Sequence, residues 1–268
     1  ALIPGASRPI GRAIARKFAT LGATLILPVY DWPESIVTME EEFTAAGFTY
    51  HVFPGDLRQK SEVKRLSAFV HTKTKSLDFL INNIERGGMP VVHGSYDLPQ
   101  NDQQWDLEFE TTVKAKWLLY HHLAPLMDNR KGGAIVNISS IAGMTGRSGP
   151  AAVFFNDGYS AANRAIQTFT ETWAREVAPF IRVNELILGL IQSRHGEGTR
   201  GWTTLSKQEQ ECVKGDILLG RTGLPQEVAN SVYFLAVEAT YITGASLRMD
   251  GGFILGGGRV PPMPAGIL

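Results

Sequence analysis

The chain has 268 residues, 44% of them apolar and 19% charged, and its 26 basic residues balance its 26 acidic ones. A zero net charge argues against the long-range attraction on which nucleic-acid and anionic-membrane binding depend. No apolar run reaches the roughly 18 residues of a membrane span. We therefore expect neither a nucleic acid nor a membrane as a partner. The single cysteine, Cys212, excludes an intramolecular disulfide bond, and no signal peptide precedes the first apolar run, so a reducing, cytoplasmic location is expected.

Short apolar runs alternate with helical patterns along the chain. The predicted strands are Leu2–Pro4, Thr24–Val29, Thr49–Phe53, Asp78–Asn82, Ala134–Ser139, Arg182–Ile187 and Ser246–Met249. Most are continuous apolar runs, typical of strands covered on both faces. The intervening segments carry apolar residues at spacings of three and four, which predicts amphipathic helices: Ile10, Ile14, Phe18 and Leu21; Val63, Leu66 and Val70; Ala162, Ile166, Phe169, Trp173 and Val177. This alternation predicts an α/β fold with a doubly wound parallel sheet, about seven strands with helices on both faces.

A glycine-containing turn follows the first predicted strand and opens the first helix. Its sequence is Pro4-Gly5-Ala6-Ser7-Arg8-Pro9-Ile10-Gly11. Glycines at such a turn let backbone N–H groups approach a phosphate at the helix N-terminus, although a tight turn also needs glycine for structural reasons alone. Pro9 suits the first turn of a helix but removes one N–H, so a modified anion-binding loop and a plain helix-start proline are both consistent with it.

These motifs, in this order, resemble the short-chain dehydrogenase/reductase family over essentially the whole chain. The similar segments are the glycine turn, Leu80-Ile81-Asn82-Asn83, Gly133 through Gly143, Tyr159 through Ile166, Ile181-Arg182-Val183-Asn184, and Asp250-Gly251-Gly252. The resemblance implies a Rossmann fold in one domain over residues 1–268, and a hydride transfer between NADP(H) and a carbonyl or alcohol substrate. Pro9, Glu85, Thr112 and Asn163 depart from the family's pattern.

The resemblance also assigns a set of cofactor-binding residues at the carboxyl ends of the strands. They are Gly5, Ser7, Arg8, Ile10, Gly11, Tyr30, Asp31, Asp56, Leu57, Asn83, Gly189, Ile191 and Ser193. Arg8, with neutral Val29 where NAD-preferring relatives carry an aspartate, favours NADP, while NAD stays compatible through Asp31. Arg8 is explained equally as a solvated loop charge, and Asp56 as a cap of the helix that begins near Gln59.

The catalytic positions implied by the resemblance are Ser140 and Tyr159, with Asn163 in place of the family's lysine and Thr112 in place of its relay asparagine. In the family the tyrosine donates the proton, and a lysine one helical turn later lowers the pKa of that tyrosine. A neutral amide cannot supply this cation, so we expect a weakened proton relay. The interval between Ser140 and Tyr159 is longer than in the family, and Val153–Gly158 is interpreted as an insertion. A carboxylate at Glu85 is expected to weaken binding of a dianionic cofactor.

Two further segments follow from composition and resemblance. A substrate lid is expected at residues 192–220, with Trp202 and Leu205 in it, and an extended C-terminal tail at residues 256–268.

The assembly is also predicted from the resemblance. Helices expected at Gln103–Met127 and Tyr159–Ala178 match those through which relatives associate, so we expect a homotetramer, or at least a dimer, with Trp117 and Leu118 as contact residues.

Three functions are compatible with the sequence. The first is an oxidoreductase that acts on a small-molecule substrate, favoured because Ser140, Tyr159 and several cofactor residues are retained. The second is a catalytically impaired relative that serves as a binding or scaffold protein. The third is non-redox chemistry such as dehalogenation, against which Asn163 and the retained Gly5 and Gly11 argue. No histidine has a cysteine or carboxylate at a metal-ligand spacing, so no metal is expected.

Overall fold

A computed structural model describes residues 1–85, 99–127, 132–149, 155–193, 202, 205–256 and 258. Six strands lie in this part of the chain: β1 (Leu25–Val29), β2 (Tyr50–Pro54), β3 (Phe79–Asn82), β4 (Gly133–Ser140), β5 (Ile181–Leu188) and β6 (Ser246–Met249). Strand β1 pairs with β2, and β3, β4, β5 and β6 pair in that order, all in parallel. The apolar runs of β1 and β4 are almost wholly buried, as strands covered on both faces must be.

The N-terminal segment joins the two groups of strands at the centre of the sheet. Leu2 forms parallel bridges to Ile26 in β1 and to Leu80 in β3. The predicted strand Leu2–Pro4 is therefore in the expected place, but it is reduced to one bridged residue. The pairing stops there because Pro4 has no N–H to donate and the chain turns at Gly5.

The helices begin and end close to the predicted positions. They are α1 (Pro9–Thr20), α2 (Pro33–Ala45), α3 (Lys60–Lys73), α4 (Pro99–Glu108), α5 (Ala115–Leu123), α6 (Ala142–Thr145), α7 (Asp157–Val177), α8 (Lys207–Gly215) and α9 (Pro225–Tyr233). A π-helical stretch, Phe109–Lys114, joins α4 to α5. Helices α1, α2, α4 and α9 start with a proline, whose missing N–H costs nothing in the first turn.

Two apolar layers cover the faces of the sheet. Phe18 of α1, Phe43 of α2 and Val228 of α9 are buried in one of them. Leu66 of α3 and Trp173 of α7 are buried in the other. Helices on both faces of a parallel sheet make a Rossmann-type α/β fold, which confirms the predicted fold class.

Two residues of the predicted pattern lie elsewhere than expected. Leu21 is 54% exposed because it follows the last turn of α1 as its C-cap. Leu118 is buried at 3% exposure, because α5 turns this residue toward the sheet. Leu118 is thus a core residue, and its prediction as a contact residue for assembly is wrong, whereas Trp117 beside it is 44% exposed.

Candidate active site

A cleft opens at the carboxyl ends of β1, β2 and β3, where ligands bind in open α/β sheets. It contains about 1090 Å³ of empty space, including its mouth. Eleven of the thirteen residues predicted to bind a cofactor line it: Gly5, Ser7, Arg8, Ile10, Gly11, Tyr30, Asp31, Asp56, Leu57, Asn83 and Ser193.

The other two predicted cofactor residues do not line the cleft. Gly189 packs against Asp250, where a Cβ atom would lie 2.6 Å from the Asp250 Cα atom. Ile191 is buried and bridges Gly223. Their places are explained by packing at the end of β5.

The turn before α1 is shaped by two glycines. Gly5 has a φ of +72°, which favours glycine. A Cβ atom on Gly11 would lie 2.3 Å from the Gly5 carbonyl oxygen, so this contact requires glycine. The backbone can therefore approach a ligand closely here, but Pro9 at the first position of α1 supplies no N–H to it.

An arginine–tryptophan pair lies at one end of the cleft. The Arg8 guanidinium lies over the Trp32 ring, 4.5 Å from its centroid, and Nη1 donates to the Ser35 hydroxyl at 3.3 Å. Trp32 precedes α2 in a left-handed conformation with a φ of 70°. Arg8 is therefore held in the cleft wall and is not merely a solvated loop charge.

Asp56 is held by a neighbouring arginine that the motif analysis had not singled out. Arg58 donates to both carboxylate oxygens, at 2.8 and 2.7 Å, and its guanidinium lies 5.7 Å from the centroid of the Tyr30 ring. Burial tends to raise the pKa of Asp56, but the hydrogen bonds from Arg58 outweigh it and lower that pKa. The alternative in which Asp56 caps α3 is wrong, because its side chain accepts the Arg58 N–H and Gln59 occupies the cap position.

The predicted catalytic pair lies together at the inner side of this region. Ser140 ends β4, and its hydroxyl accepts the Ala142 N–H at 3.2 Å. Tyr159 lies in the first turn of α7, where Asn156 caps the helix by accepting the Tyr159 N–H at 2.6 Å. The Tyr159 hydroxyl is hydrogen-bonded to Ser140 and to Glu85. Residues 151–154 lie outside the described part of the chain, but the end of the predicted insertion forms the start of α7.

The environment of Tyr159 favours its protonated form. Burial is the largest cause, and the negative charge of Glu85 adds to it, so the pKa of Tyr159 is raised well above its usual value of 10. The hydrogen bond from Ser140 acts in the opposite direction but does not outweigh them. Tyr159 is therefore protonated at neutral pH.

Asn163 and Glu85, two of the unusual residues, contact each other. The Asn163 amide donates to the Glu85 carboxylate at 3.0 Å and to the Tyr159 carbonyl at 3.0 Å. Glu85 also lines the cleft, so it links the cleft to the Ser140–Tyr159 pair. The Thr112 hydroxyl is buried and has no hydrogen-bond partner among the described residues.

A fully buried lysine, Lys116, lies in the same region and was missed by the sequence reasoning. Its ammonium donates to the Ile138 carbonyl at 2.7 Å. Burial lowers the pKa of Lys116 to about 8, against the opposing influence of Glu85, Glu185 and Glu108. No sequence motif distinguishes it from a solvated lysine on α5, and only the structure shows its burial.

The described part of the predicted lid contains α8, with a capping box at its start in which Ser206 and Glu209 bond each other's backbone N–H. Trp202 is buried. The described residues do not include lid residues 194–201, 203 and 204. Of the predicted tail at residues 256–268 they include only Gly256 and Gly258.

No group of three metal-ligating side chains occurs in the described part of the chain. Among the described helices, none is long and apolar enough to cross a membrane.

Comparison with known proteins gives consistent relatives. A family model described as enoyl-(acyl carrier protein) reductase matches residues 5–254. The 3-oxoacyl-[acyl-carrier-protein] reductase of Aquifex aeolicus is 30% identical over 253 residues, which cover 94% of this chain and 95% of that protein. A short-chain dehydrogenase/reductase of Serratia marcescens superposes with a TM-score of 0.78 at 26% identity, over 94% of this chain and 96% of the other. A variant of the actinorhodin polyketide ketoreductase, solved with NADPH, gives a TM-score of 0.81 at 26% identity and covers 94% and 95%.

Proposed function

The chain belongs to the short-chain dehydrogenase/reductase family of NAD(P)-dependent oxidoreductases, and from this premise we propose that it reduces the carbonyl group of a small molecule with NADPH. The observation that carries the proposal is Glu85, which lines the cleft and hydrogen-bonds Tyr159. The proton donor therefore adjoins the cleft. The relative solved with NADPH supports the choice of cofactor.

The cleft residues fit a dinucleotide, and each has a defined task. The turn at Gly5 and Gly11 would hold the pyrophosphate against the start of α1. Arg8, with its charge and fork of donors, would bind the 2′-phosphate of the adenosine ribose. Asp56, already paired with Arg58, would accept from the adenine amino group. Asn83 and Ser193 line the remaining wall.

The reduction uses Ser140 and Tyr159 directly. NADPH, when bound, supplies the hydride that goes to the carbonyl carbon. Ser140 binds the substrate oxygen through its hydroxyl, and the Tyr159 hydroxyl donates its proton to that oxygen as the carbon is reduced. Thr112 and Asn163 stand at relay positions, where Asn163 orients Glu85 by hydrogen bonding and carries no charge of its own. Proton delivery is therefore slower than with a lysine at residue 163.

Calorimetric titration with NADPH and NADH tests the cofactor assignment. We expect NADPH to bind more tightly, and Arg8→Ala to lose about tenfold in affinity for NADPH while NADH binding changes little. Arg164→Ala removes an exposed arginine outside the cleft and is the matched control. A tighter fit for NADH would overturn the assignment of NADP.

Four further predictions accompany this function. They are a single domain over residues 1–268, a lid at residues 192–220, assembly as a homotetramer or dimer, and a cytoplasmic location.

A binding or scaffold role is the second candidate, and one observation favours it. Glu85 places a carboxylate in the cleft, where it repels the phosphates of a dinucleotide. If neither cofactor binds, this second candidate is preferred.

A further inference from the structure

Lys116 is fully buried, which is rare for a lysine and costly unless its charge is offset. It lies on α5 among apolar neighbours, Ala115, Leu118 and Leu119, all buried. Its hydrogen bond to the Ile138 carbonyl satisfies one of its three donors. An apolar side chain would pack here without the cost of burying a charge, so the packing of α5 does not account for a lysine.

Carboxylates from three different parts of the chain act electrostatically on this ammonium. Glu85 follows β3, Glu108 ends α4 and Glu185 lies in β5, and each acts electrostatically on Lys116. Glu108 and Glu185 are buried, at 0% and 1% exposure. The Ser139 hydroxyl donates to Glu185 at 2.6 Å, and Ser246 donates to it as well. The cluster thus holds three acidic groups and one basic group.

Two paths connect Lys116 to the proposed proton donor. Glu85 is hydrogen-bonded to Tyr159. The Ile138 carbonyl belongs to β4 and lies just before Ser139 and Ser140, so Lys116 also holds the strand that carries the second hydroxyl of the site. The same charges that act on Lys116, from Glu85 and Glu108, also act on Tyr159.

We infer that Lys116 is a positioning residue of the reduction site, whose ammonium supplies the positive charge that acts on the Tyr159 hydroxyl. The inference rests on the proposed role of Tyr159 as proton donor. When the hydroxyl gives up its proton, a phenolate forms beside Glu85, and a nearby cation stabilises it. Asn163 is neutral, so this charge comes from α5 and not from α7.

The inference predicts a specific pH dependence. Lys116 loses its proton near pH 8, and proton donation by Tyr159 then becomes less favourable. Reduction should therefore fall about tenfold as pH rises through 8, well below the pH at which Tyr159 itself titrates. Lys116→Met should remove this step and give, at every pH, the low rate of the wild type above pH 8.

NMR of protein labelled with ¹³C at the tyrosine Cζ atom tests the inference without a substrate. The Tyr159 signal, assigned by its loss in Tyr159→Phe, should shift in a step centred near pH 8. The step should disappear in Lys116→Met and persist in Lys114→Met, which removes an exposed charge two residues away. Absence of the step in the wild type, or its persistence in Lys116→Met, would overturn the inference.

A second variant separates charge from hydrogen bonding and guards against misfolding of Lys116→Met. Lys116→Gln keeps a donor for the Ile138 carbonyl and should also lose the step; a retained step contradicts a role for the charge. The wild-type titration needs no variant at all at Lys116. If the step is present but no carbonyl is reduced with NADPH, the charge coupling holds and the proposed function fails.

Discussion

At the scale of single residues, Glu85 and Asn163 act as a pair and are best changed together. Glu85→Gly with Asn163→Lys removes the carboxylate that raises the pKa of Tyr159 and adds a cation one turn away. We expect alcohol oxidation at neutral pH to gain most, by at least about tenfold, because it needs the phenolate. Initial rates in both directions measure this. Arg164→Lys, at the exposed neighbouring position, should leave both rates unchanged; rates that change equally in the double variant and in Arg164→Lys would contradict this prediction.

Lys116 also makes a prediction about stability. Its pKa is about 8 in the folded chain against an ordinary value of 10.5, so between these pH values the unfolded state binds more protons. The free energy of unfolding should therefore rise with pH in this window, by up to about 3 kcal/mol from this group. Urea unfolding of the wild type and of Lys116→Met, from pH 7 to pH 10, isolates the contribution of this group. If the free energies of unfolding of the two proteins differ by the same amount at every pH, the lowered pKa of Lys116 is refuted.

Residue identities were predictable from sequence where a motif is local. Ser140 and Tyr159 each lie in a motif at the end of a strand or the start of a helix, and the structure brings them together. Lys116 was not predictable, because a lysine on a helix is usually solvated and its burial depends on how α5 packs in the core. Arg58 was not predicted for a related reason, because its role depends on its contacts with Asp56 and Tyr30 in the folded chain.

At the scale of elements, the start of α1 decides how tightly the turn can hold phosphate. Pro9→Gly restores an N–H and should strengthen NADPH binding several-fold, by about 0.5–1.5 kcal/mol for one hydrogen bond. Pro9→Ala restores the same N–H without the flexibility of glycine and is the matched control. Calorimetry on both variants measures the effect. Unchanged affinity in both would show that the missing donor is irrelevant.

Periodicity predicted which segments form helices and strands more reliably than it predicted the residues at which they begin and end. Val63, Leu66 and Val70 are all buried as predicted. The strand at Leu2–Pro4 is reduced to one bridged residue because Pro4 cannot donate. Leu118 lies in the core with Ala115 and Leu119 of the same helix.

At the scale of the whole molecule, the exposed face of α5 predicts self-association. Trp117 is 44% exposed, and its ring lies 4.7 Å from that of His121. Trp117→Glu should shift a dimer or tetramer toward monomer, because a charge in an apolar contact is unfavourable. Light scattering at micromolar concentration measures the mass. Lys114→Glu is the control on the same helix, and a wild type that is already monomeric would contradict the prediction.

Isotope transfer shows whether this chain moves a hydride from NADPH to a carbonyl with Tyr159 as the acid. The protein is incubated with NADPH deuterated at C4 on either face, together with a panel of ketones and 3-oxoacyl thioesters, and the alcohols are analysed by mass spectrometry. The account predicts deuterium on the carbinol carbon from one face of the cofactor, and its loss in Tyr159→Phe. Deuterated product that Tyr159→Phe leaves unchanged, or none even from the variant with Glu85→Gly and Asn163→Lys, would contradict it.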